Sequence, residues 1–243
     1  MSRSFVTASS QGIEVGITTS SYPFSMSAWF YLPSLPAADS TIMAIGSSTI
    51  GSQFCYVFVN SSGALWFGIR LGGSAVFGTV TGTVAANTWN HAALVAPSSG
   101  STLLYLNGVK ATDSGAGAGS VSPNNFTVGR NDIVAGGNNY LTGRVAEAIL
   151  WSDALTDVEI SALASGAHHL RVHSKDIVLY WPLYGTGSPE PDLSGNGHNG
   201  TLTNAPTLAN HAPVSAPYPA PHTIDYATPI ATATARSQAV MIG

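Results

Sequence analysis

Short runs of alternating apolar and polar residues recur from residue 5 to about residue 151, separated by Gly, Asn, Ser and Pro. This pattern predicts many antiparallel strands, because successive side chains of a strand point to opposite faces of its sheet. Segment 24–31 is the clearest example, and its apolar face consists of Phe24, Met26, Ala28 and Phe30. We therefore expect a strand with one buried face at this position.

Segment 141–151 alternates in the same way, but one member of its apolar face is polar. That face consists of Leu141, Gly143, Val145, Glu147, Ile149 and Trp151. A single carboxylate in such a row is unusual, because charged groups are rarely buried without a partner. Glu147 is therefore the residue of this strand that needs an explanation.

Two local motifs predict a hairpin and one helix. Asn107-Gly108 separates two strand-like segments, and both residues tolerate the positive φ angles of a type I′ turn. Residues 156–159 form a capping box, with apolar residues at the staple positions Leu155 and Ile160 and a closing Gly166. The pattern thus predicts one short helix that covers an edge of the sandwich.

The C-terminal part of the chain changes character. Residues 177–183 resemble a buried final strand, whereas six of the 14 prolines lie beyond Asn204, together with many alanines. Proline removes hydrogen-bond donors from a strand and fixes φ, so an extended arm is favoured over a second core. We predict a β-sandwich domain over residues 1–203 and a Pro/Ala-rich extended arm over residues 204–243.

Composition narrows the range of possible functions. Charged residues make up 8% of the chain, against about 25% in an average soluble protein. A net charge of −4 with only two lysines offers no basic stripe for nucleic acid, and no apolar segment approaches the length of a membrane span. The single cysteine, Cys55, excludes an internal disulfide and is expected to be buried. We expect neither nucleic acid nor membrane as a partner.

Five segments, taken in order, resemble the laminin-G-like branch of the concanavalin A-like lectin and glucanase superfamily. They are residues 24–29, 89–95, 104–108, 126–130 and 141–148, followed by the predicted helix. The resemblance implies an all-β, two-sheet antiparallel jelly-roll sandwich. The later motif at 180–183 and 192–197, with the Pro-rich tail behind it, is similar to members found in structural proteins of tailed bacteriophages.

No pattern for catalysis stands out. Retaining glycoside hydrolysis needs two carboxylates about 5 Å apart, and segment 141–151 offers only Glu147. The chain has no Gly-x-Ser-x-Gly elbow and no phosphate-binding glycine motif with its lysine. We therefore expect no enzymatic activity and no catalytic residue.

Binding residues are predicted in loops at the rim of the sandwich. Calcium is the ion that the resemblance implies, since related domains hold one with Asp, Asn and backbone oxygens, although Ala146 replaces the acidic residue that usually precedes Glu147. Aromatic residues beside Gly- or Asn-rich segments could stack on a sugar or pack in the core. The candidate ligand-binding residues are Trp66, Asn131, Asp132, Asn138, Asn139 and Tyr140.

A histidine cluster offers a second kind of site. His168, His169 and His173 could share a transition metal or could lie at the edge of the core. No required cofactor is expected, and the identity of any metal stays open at this stage.

Two functions remain open. The first is a virion structural protein, a capsid decoration or tail-associated subunit, that assembles in the host cytoplasm and whose arm contacts other virion proteins or copies of itself in a homo-oligomer. An extended arm can pair with the sheet edge of a partner. The alternative is an extracellular carbohydrate-binding adhesion module, lectin-like and calcium-dependent or not, that recognises cell-surface glycans.

Overall fold

The computed structural model describes residues 1–19, 22–47, 53–71, 74–80, 82–111, 123–131 and 139–215. Across these residues, fifteen strands form two antiparallel sheets, joined by two short helices and one turn of 3-10 helix at Thr7–Ser9. The predicted all-β jelly-roll sandwich is confirmed.

The larger sheet has eight strands. They are β1 (Ser2–Phe5), β3 (Phe24–Tyr31), β8 (Trp89–Ser98), β9 (Ser101–Leu106), β10 (Val109–Lys110), β12 (Gly143–Trp151), β13 (Ile177–Trp181) and β15 (Thr207–Ala209). Their order across the sheet is β10-β9-β8-β3-β12-β1-β15, and β13 also pairs with β12. This order places β12 near the middle of the sheet.

The smaller sheet has seven strands. They are β2 (Gly12–Gly16), β4 (Ser40–Gly46), β5 (Gln53–Val59), β6 (Leu65–Leu71), β7 (Val76–Thr79), β11 (Asn125–Val128) and β14 (Thr201–Thr203). Their order is β14-β2-β11-β4-β5-β6-β7.

The main core lies between the sheets and is built from alternate residues of the strands. The predicted apolar face of β3 is confirmed, because Phe24, Met26, Ala28 and Phe30 are all fully buried in this core. Cys55 is also fully buried there, and burial raises the pKa of its thiol above the ordinary value.

The predicted hairpin and helix are both confirmed. Asn107 and Gly108 have φ angles of 52° and 80° between β9 and β10. Helix α1 spans Asp157–Ala164, and both hydrogen bonds of its capping box are present. A second helix, α2 (His169–Val172), was not predicted, because four residues are too few to show a helical period. Within the described segments, no helix is long and apolar enough to cross a membrane.

The prediction of which β12 residues share one apolar face is wrong beyond Val145. A bulge shifts the register between Ala146 and Ile149, and Glu147 adopts a φ of 54°. Ala148 therefore points into the main core, while Ile149 and Trp151 join a second apolar cluster on the outer face, beneath the helices. An extra residue in a bulge reverses the alternation that follows it, and this one keeps the Glu147 carboxylate out of the main core.

The predicted final strand, β13, is followed by two more. β14 pairs with β2, and β15 pairs with β1 at the edge of the larger sheet. The described chain therefore remains on the sandwich from residue 204 to residue 215. Pro206 is compatible with this path, because proline is tolerated next to an edge strand. Residues 216–243 of the predicted arm lie outside the described segments.

Candidate functional site

A groove on the sandwich, which we call the rim groove, contains two of the predicted ligand-binding residues, Asn139 and Tyr140. Its volume is about 440 Å³, and it is formed by residues 34–40 together with Asn139, Tyr140, Thr142 and Thr7. The carbonyl of Asn139 accepts a hydrogen bond from the Thr41 N–H at 3.1 Å, and the carbonyl of Tyr140 accepts one from the Thr7 hydroxyl at 2.9 Å. These bonds fix the backbone without using either half-buried side chain.

The groove combines an aromatic ring with oxygen acceptors. Tyr140 and the exposed Leu35 provide apolar surface, while the exposed Asp39 and the Asn139 amide provide polar groups. Sugar rings present C–H groups on their faces and hydroxyls at their edges. An aromatic ring binds the faces, and carboxylate and amide groups hydrogen-bond the edges. The groove therefore has the chemical composition that saccharide binding requires.

The other candidate residues are not brought into this groove. Trp66 lies half-buried on the outer face of the smaller sheet, where it packs against a cluster that contains Phe54, Tyr56 and Phe58. Asn131 is 1% exposed and does not line the groove. Asp132 and Asn138 lie outside the described segments.

Asn131 fits part of a calcium site. Its Oδ1 atom is buried and has no hydrogen-bond partner within the described segments. Calcium binds carboxylate, amide and carbonyl oxygens, so an orphaned amide oxygen beside the rim loop is a suitable donor. The predicted partners Asp132 and Asn138 are not among the described residues, and calcium binding stays a prediction.

A second polar region lies on the outer face of the larger sheet and is centred on Glu147. The bulge in β12 directs this carboxylate away from the main core, and residues 211–215 lie across it. A cavity of about 630 Å³ beside it is lined by residues from several parts of the chain, among them Glu147, His168, His169, Tyr180, Tyr184 and His211. We call this region the covered cluster.

Hydrogen bonds hold the covered cluster together. The Tyr180 hydroxyl donates to Glu147 Oε2 at 2.8 Å, and His211 Nε2 lies 3.1 Å from Glu147 Oε1. The other neighbours of the His211 ring are the carbonyls of Ala212 and Pro182, at 3.0 and 3.3 Å. All these partners are acceptors, an arrangement that favours a proton on both ring nitrogens, that is, an imidazolium.

The pKa shifts agree with this proton arrangement. Burial acts to lower the pKa of His211, but the hydrogen bond and charge of Glu147 outweigh it and raise the pKa above its ordinary value. Burial lowers the pKa of His168 and lowers that of His169 to about 3, so both rings are neutral at neutral pH. Burial, followed by the Glu147 charge, raises the pKa of Tyr180.

The covered cluster is suited to holding the fold rather than to chemistry. Among the described residues that line its cavity, Glu147 is the one carboxylate, whereas retaining glycoside hydrolysis needs two. Atoms of Glu147, His168 and His169 lie within 4.8 Å of one another. However, the Leu170 N–H donates to His168 Nδ1, and His211 already balances the Glu147 charge. Two signals in the sequence pointed to this cluster, the unusual position of Glu147 and the adjacent His168 and His169, whereas His173 of the predicted histidine cluster does not line its cavity.

The fold is similar to that of proteins of known structure. The structure is similar to a Bacteroides ovatus ATCC 8483 protein assigned to carbohydrate binding, with 23% identity, a TM-score of 0.61 and coverage of 86% of this chain. The matched region spans 61% of that protein. It is also similar to the heptameric SAP-like pentraxin of Limulus polyphemus, with 17% identity, a TM-score of 0.51 and coverage of 63% of this chain and 75% of the pentraxin.

A third similar structure is that of domains LG4-5 of the mouse laminin alpha1 chain. The identity is 9% and the TM-score 0.51, over 65% of this chain and 43% of the mouse structure. At these identities the likenesses show the fold. A search of curated proteins finds no match in sequence.

The match to a family model covers most of the sandwich. A laminin-G model described as the concanavalin A-like lectin/glucanases superfamily matches residues 7–161, which include the strands around the rim groove and the bulge at Glu147. The chain therefore belongs to the concanavalin A-like lectin/glucanases superfamily.

Proposed function

We propose that this chain is a non-enzymatic carbohydrate-binding module and that the groove beside Tyr140 is its binding site. The observation that carries the proposal is the lining of this groove, which includes a tyrosine, an aspartate and an asparagine. A volume of about 440 Å³ is large enough for one or two sugar rings, within the ordinary range of ligand sites.

The conformation of the backbone supports the proposal. Hydrogen bonds from Thr41 and Thr7 hold the main chain at Asn139 and Tyr140, so the two side chains are presented from a fixed backbone. A site that is ordered before its ligand arrives loses less conformational entropy on binding. The Bacteroides ovatus protein assigned to carbohydrate binding has the same fold, which makes this function reasonable for the chain.

A glycan array with the purified chain tests the proposal. We expect saturable binding to at least one glycan, and Tyr140→Ala should weaken it at least about tenfold, because stacking on a sugar ring is removed. Tyr140→Phe keeps the ring and should retain most of the affinity, whereas Asp39→Asn should weaken binding by losing a charged acceptor. Absence of saturable binding to any glycan would contradict the proposal.

Two further measurements address calcium and catalysis. A titration repeated with a chelator separates calcium-dependent from calcium-independent binding. Release of reducing sugar ends from the bound glycan, lost in Glu147→Gln, would overturn the non-enzymatic proposal.

The role as a virion structural protein stays a prediction, as do the homo-oligomer and the location in a virion or outside the cell. They depend on what residues 216–243 contact, and those residues lie outside the described segments.

A further inference from the structure

A second group of titratable residues, Asp153, His173 and Asp176, lies away from the groove and from the covered cluster. Asp153 follows β12, His173 follows α2 and Asp176 precedes β13. Pairing of β12 with β13 brings these three chain ends together, with Trp151 opposite Ile177. One ligand atom from each of the three residues lies within 4.8 Å of the others.

The orientation of the His173 ring is set by α1. His173 Nδ1 lies 2.8 Å from Glu159 Oε1, while Glu159 Oε2 accepts from the Thr156 N–H at 2.7 Å in the capping box. The Thr156 hydroxyl also donates to Oε2, at 2.7 Å, so the carboxylate acts as an acceptor and the His173 Nδ1–H donates to Oε1.

The other ring nitrogen of His173 has no such partner. Nε2 is buried from solvent and has no hydrogen-bond partner among the described residues, although Asp153 Oδ2 lies 3.5 Å away. Nε2 thus faces a carboxylate oxygen, and this contact is completed either by a proton on Nε2 or by a metal ion bound between the two atoms.

The three residues are held in place by local bonds that leave their ligand atoms available. The Ser152 N–H donates to the Asp176 carbonyl at 2.8 Å, and the Ala154 N–H donates to Asp153 Oδ1 at 2.8 Å, which leaves Oδ2 toward His173. The partly exposed Asp153 and the exposed Asp176 open the site to solvent, and a recess of about 190 Å³ beside His173 is lined by Val172, Ser174 and Lys175.

We propose that Asp153, His173 and Asp176 bind one divalent transition-metal ion of the zinc class, with Glu159 as a positioning residue. Zinc accepts imidazole nitrogen and carboxylate oxygen together, whereas calcium takes oxygen ligands alone. The imidazole of a zinc site characteristically donates its other N–H to a carboxylate, as His173 does to Glu159. The ion would tie the ends of β12, α2 and β13 together, independently of glycan binding.

Titration calorimetry of the full, untagged chain with zinc ion alone tests the proposal. We expect one ion per chain and an affinity at least about tenfold weaker in Asp176→Asn, an exposed position where the substitution keeps the side-chain shape. Glu159→Gln retains an acceptor for the helix cap, so we expect the metal-free melting temperature to be kept and the zinc affinity to fall about 10- to 100-fold. Glu147→Gln is the matched control in the other carboxylate–histidine cluster and should retain wild-type zinc affinity.

A spectroscopic measurement on the wild-type chain does not depend on how any variant folds. In the ring ¹⁵N spectrum, zinc should shift the Nε2 signal of His173 while the Nδ1 atom of the same ring stays protonated. If His173 is instead doubly protonated and holds no metal, saturable zinc binding is absent and the proposal is wrong. Zinc binding that is lost in Glu147→Gln but kept in Asp176→Asn would also overturn it.

Discussion

The covered cluster and the rim groove each contain a tyrosine and a carboxylate, but the two regions use them differently. In the covered cluster, Tyr180 donates to Glu147, and His211 balances its charge. In the groove, Asp39 is exposed and the half-buried Tyr140 is held through its backbone. Polar atoms that are buried and paired with one another stabilise the fold, whereas polar atoms at an open surface remain available to a ligand.

Because the covered cluster is buried and the groove is open, we expect substitutions in the two regions to have different effects. Loss of a partner in the covered cluster leaves a buried polar group without its hydrogen bond, which lowers the free energy of unfolding. Loss of a side chain in the groove leaves no buried polar group without its partner, so it should change the affinity for a ligand instead of the free energy of unfolding. Three predictions test this contrast.

The largest expected effect is the loss of stability in acid caused by neutral buried histidines. Burial lowers the pKa of His91 and that of His169 to about 3, while an unfolded histidine has a pKa of about 6.5. Below pH 6.5 the unfolded state therefore binds more protons than the folded state, and stability falls as pH decreases. Each of the two contributes up to about 1.4 kcal/mol per pH unit between about pH 6.5 and its folded pKa.

Urea denaturation at pH 7.0, 6.0 and 5.0 measures this dependence. His169→Asn should reduce the slope, because the substituted side chain does not titrate. An unfolding free energy that stays constant across this range would show that these rings are not buried as neutral groups.

The second effect is the loss of Glu147. Glu147→Leu leaves the His211 imidazolium and the Tyr180 hydroxyl without their acceptor, and we expect a decrease in unfolding free energy of about 3 kcal/mol. Asp39→Leu removes a carboxylate from the groove and should change stability by less than about 0.5 kcal/mol. Equal effects of the two substitutions in urea denaturation would remove the distinction between the regions.

The third and smallest stability effect concerns His211, whose pKa is raised in the folded state. A raised pKa means that the contribution is fully present below the unfolded pKa of about 6.5 and is lost as pH rises through the folded value. His211→Gln should therefore lower stability by about 1 kcal/mol at pH 6 and by less at pH 8.5. The wild type and the variant are compared by thermal melts at both values, and a difference that grows with pH would contradict the imidazolium assignment.

Local signals in the sequence were sufficient for much of the fold. Alternation predicted β3, the Asn107-Gly108 pair predicted the hairpin, and the capping box predicted α1, because each structure is determined by neighbouring residues. The bulge at Glu147 could not be predicted in this way, since one left-handed residue reverses the alternation without any mark in the pattern.

The candidate sites were harder to predict than the fold, because they are formed by residues that are distant in sequence. Asn139 and Tyr140 were predicted from composition, but their groove also requires residues 34–40, far away in sequence. The contact between His211 and Glu147 joins residues that are far apart in sequence, and the Glu159–His173 bond joins α1 to the residue that follows α2. Histidine and carboxylate positions can be seen in a sequence, but their pairing is set by the tertiary structure.

Titration of an array-identified glycan into matched tyrosine variants tests the proposed binding site most directly. Tyr140 lies in the groove and Tyr184 beside the covered cluster, and both have partly exposed rings. We predict that Tyr140→Ala weakens binding at least about tenfold while Tyr184→Ala leaves it unchanged. Loss of binding in Tyr184→Ala with wild-type affinity in Tyr140→Ala would contradict the assignment of the groove as the carbohydrate site.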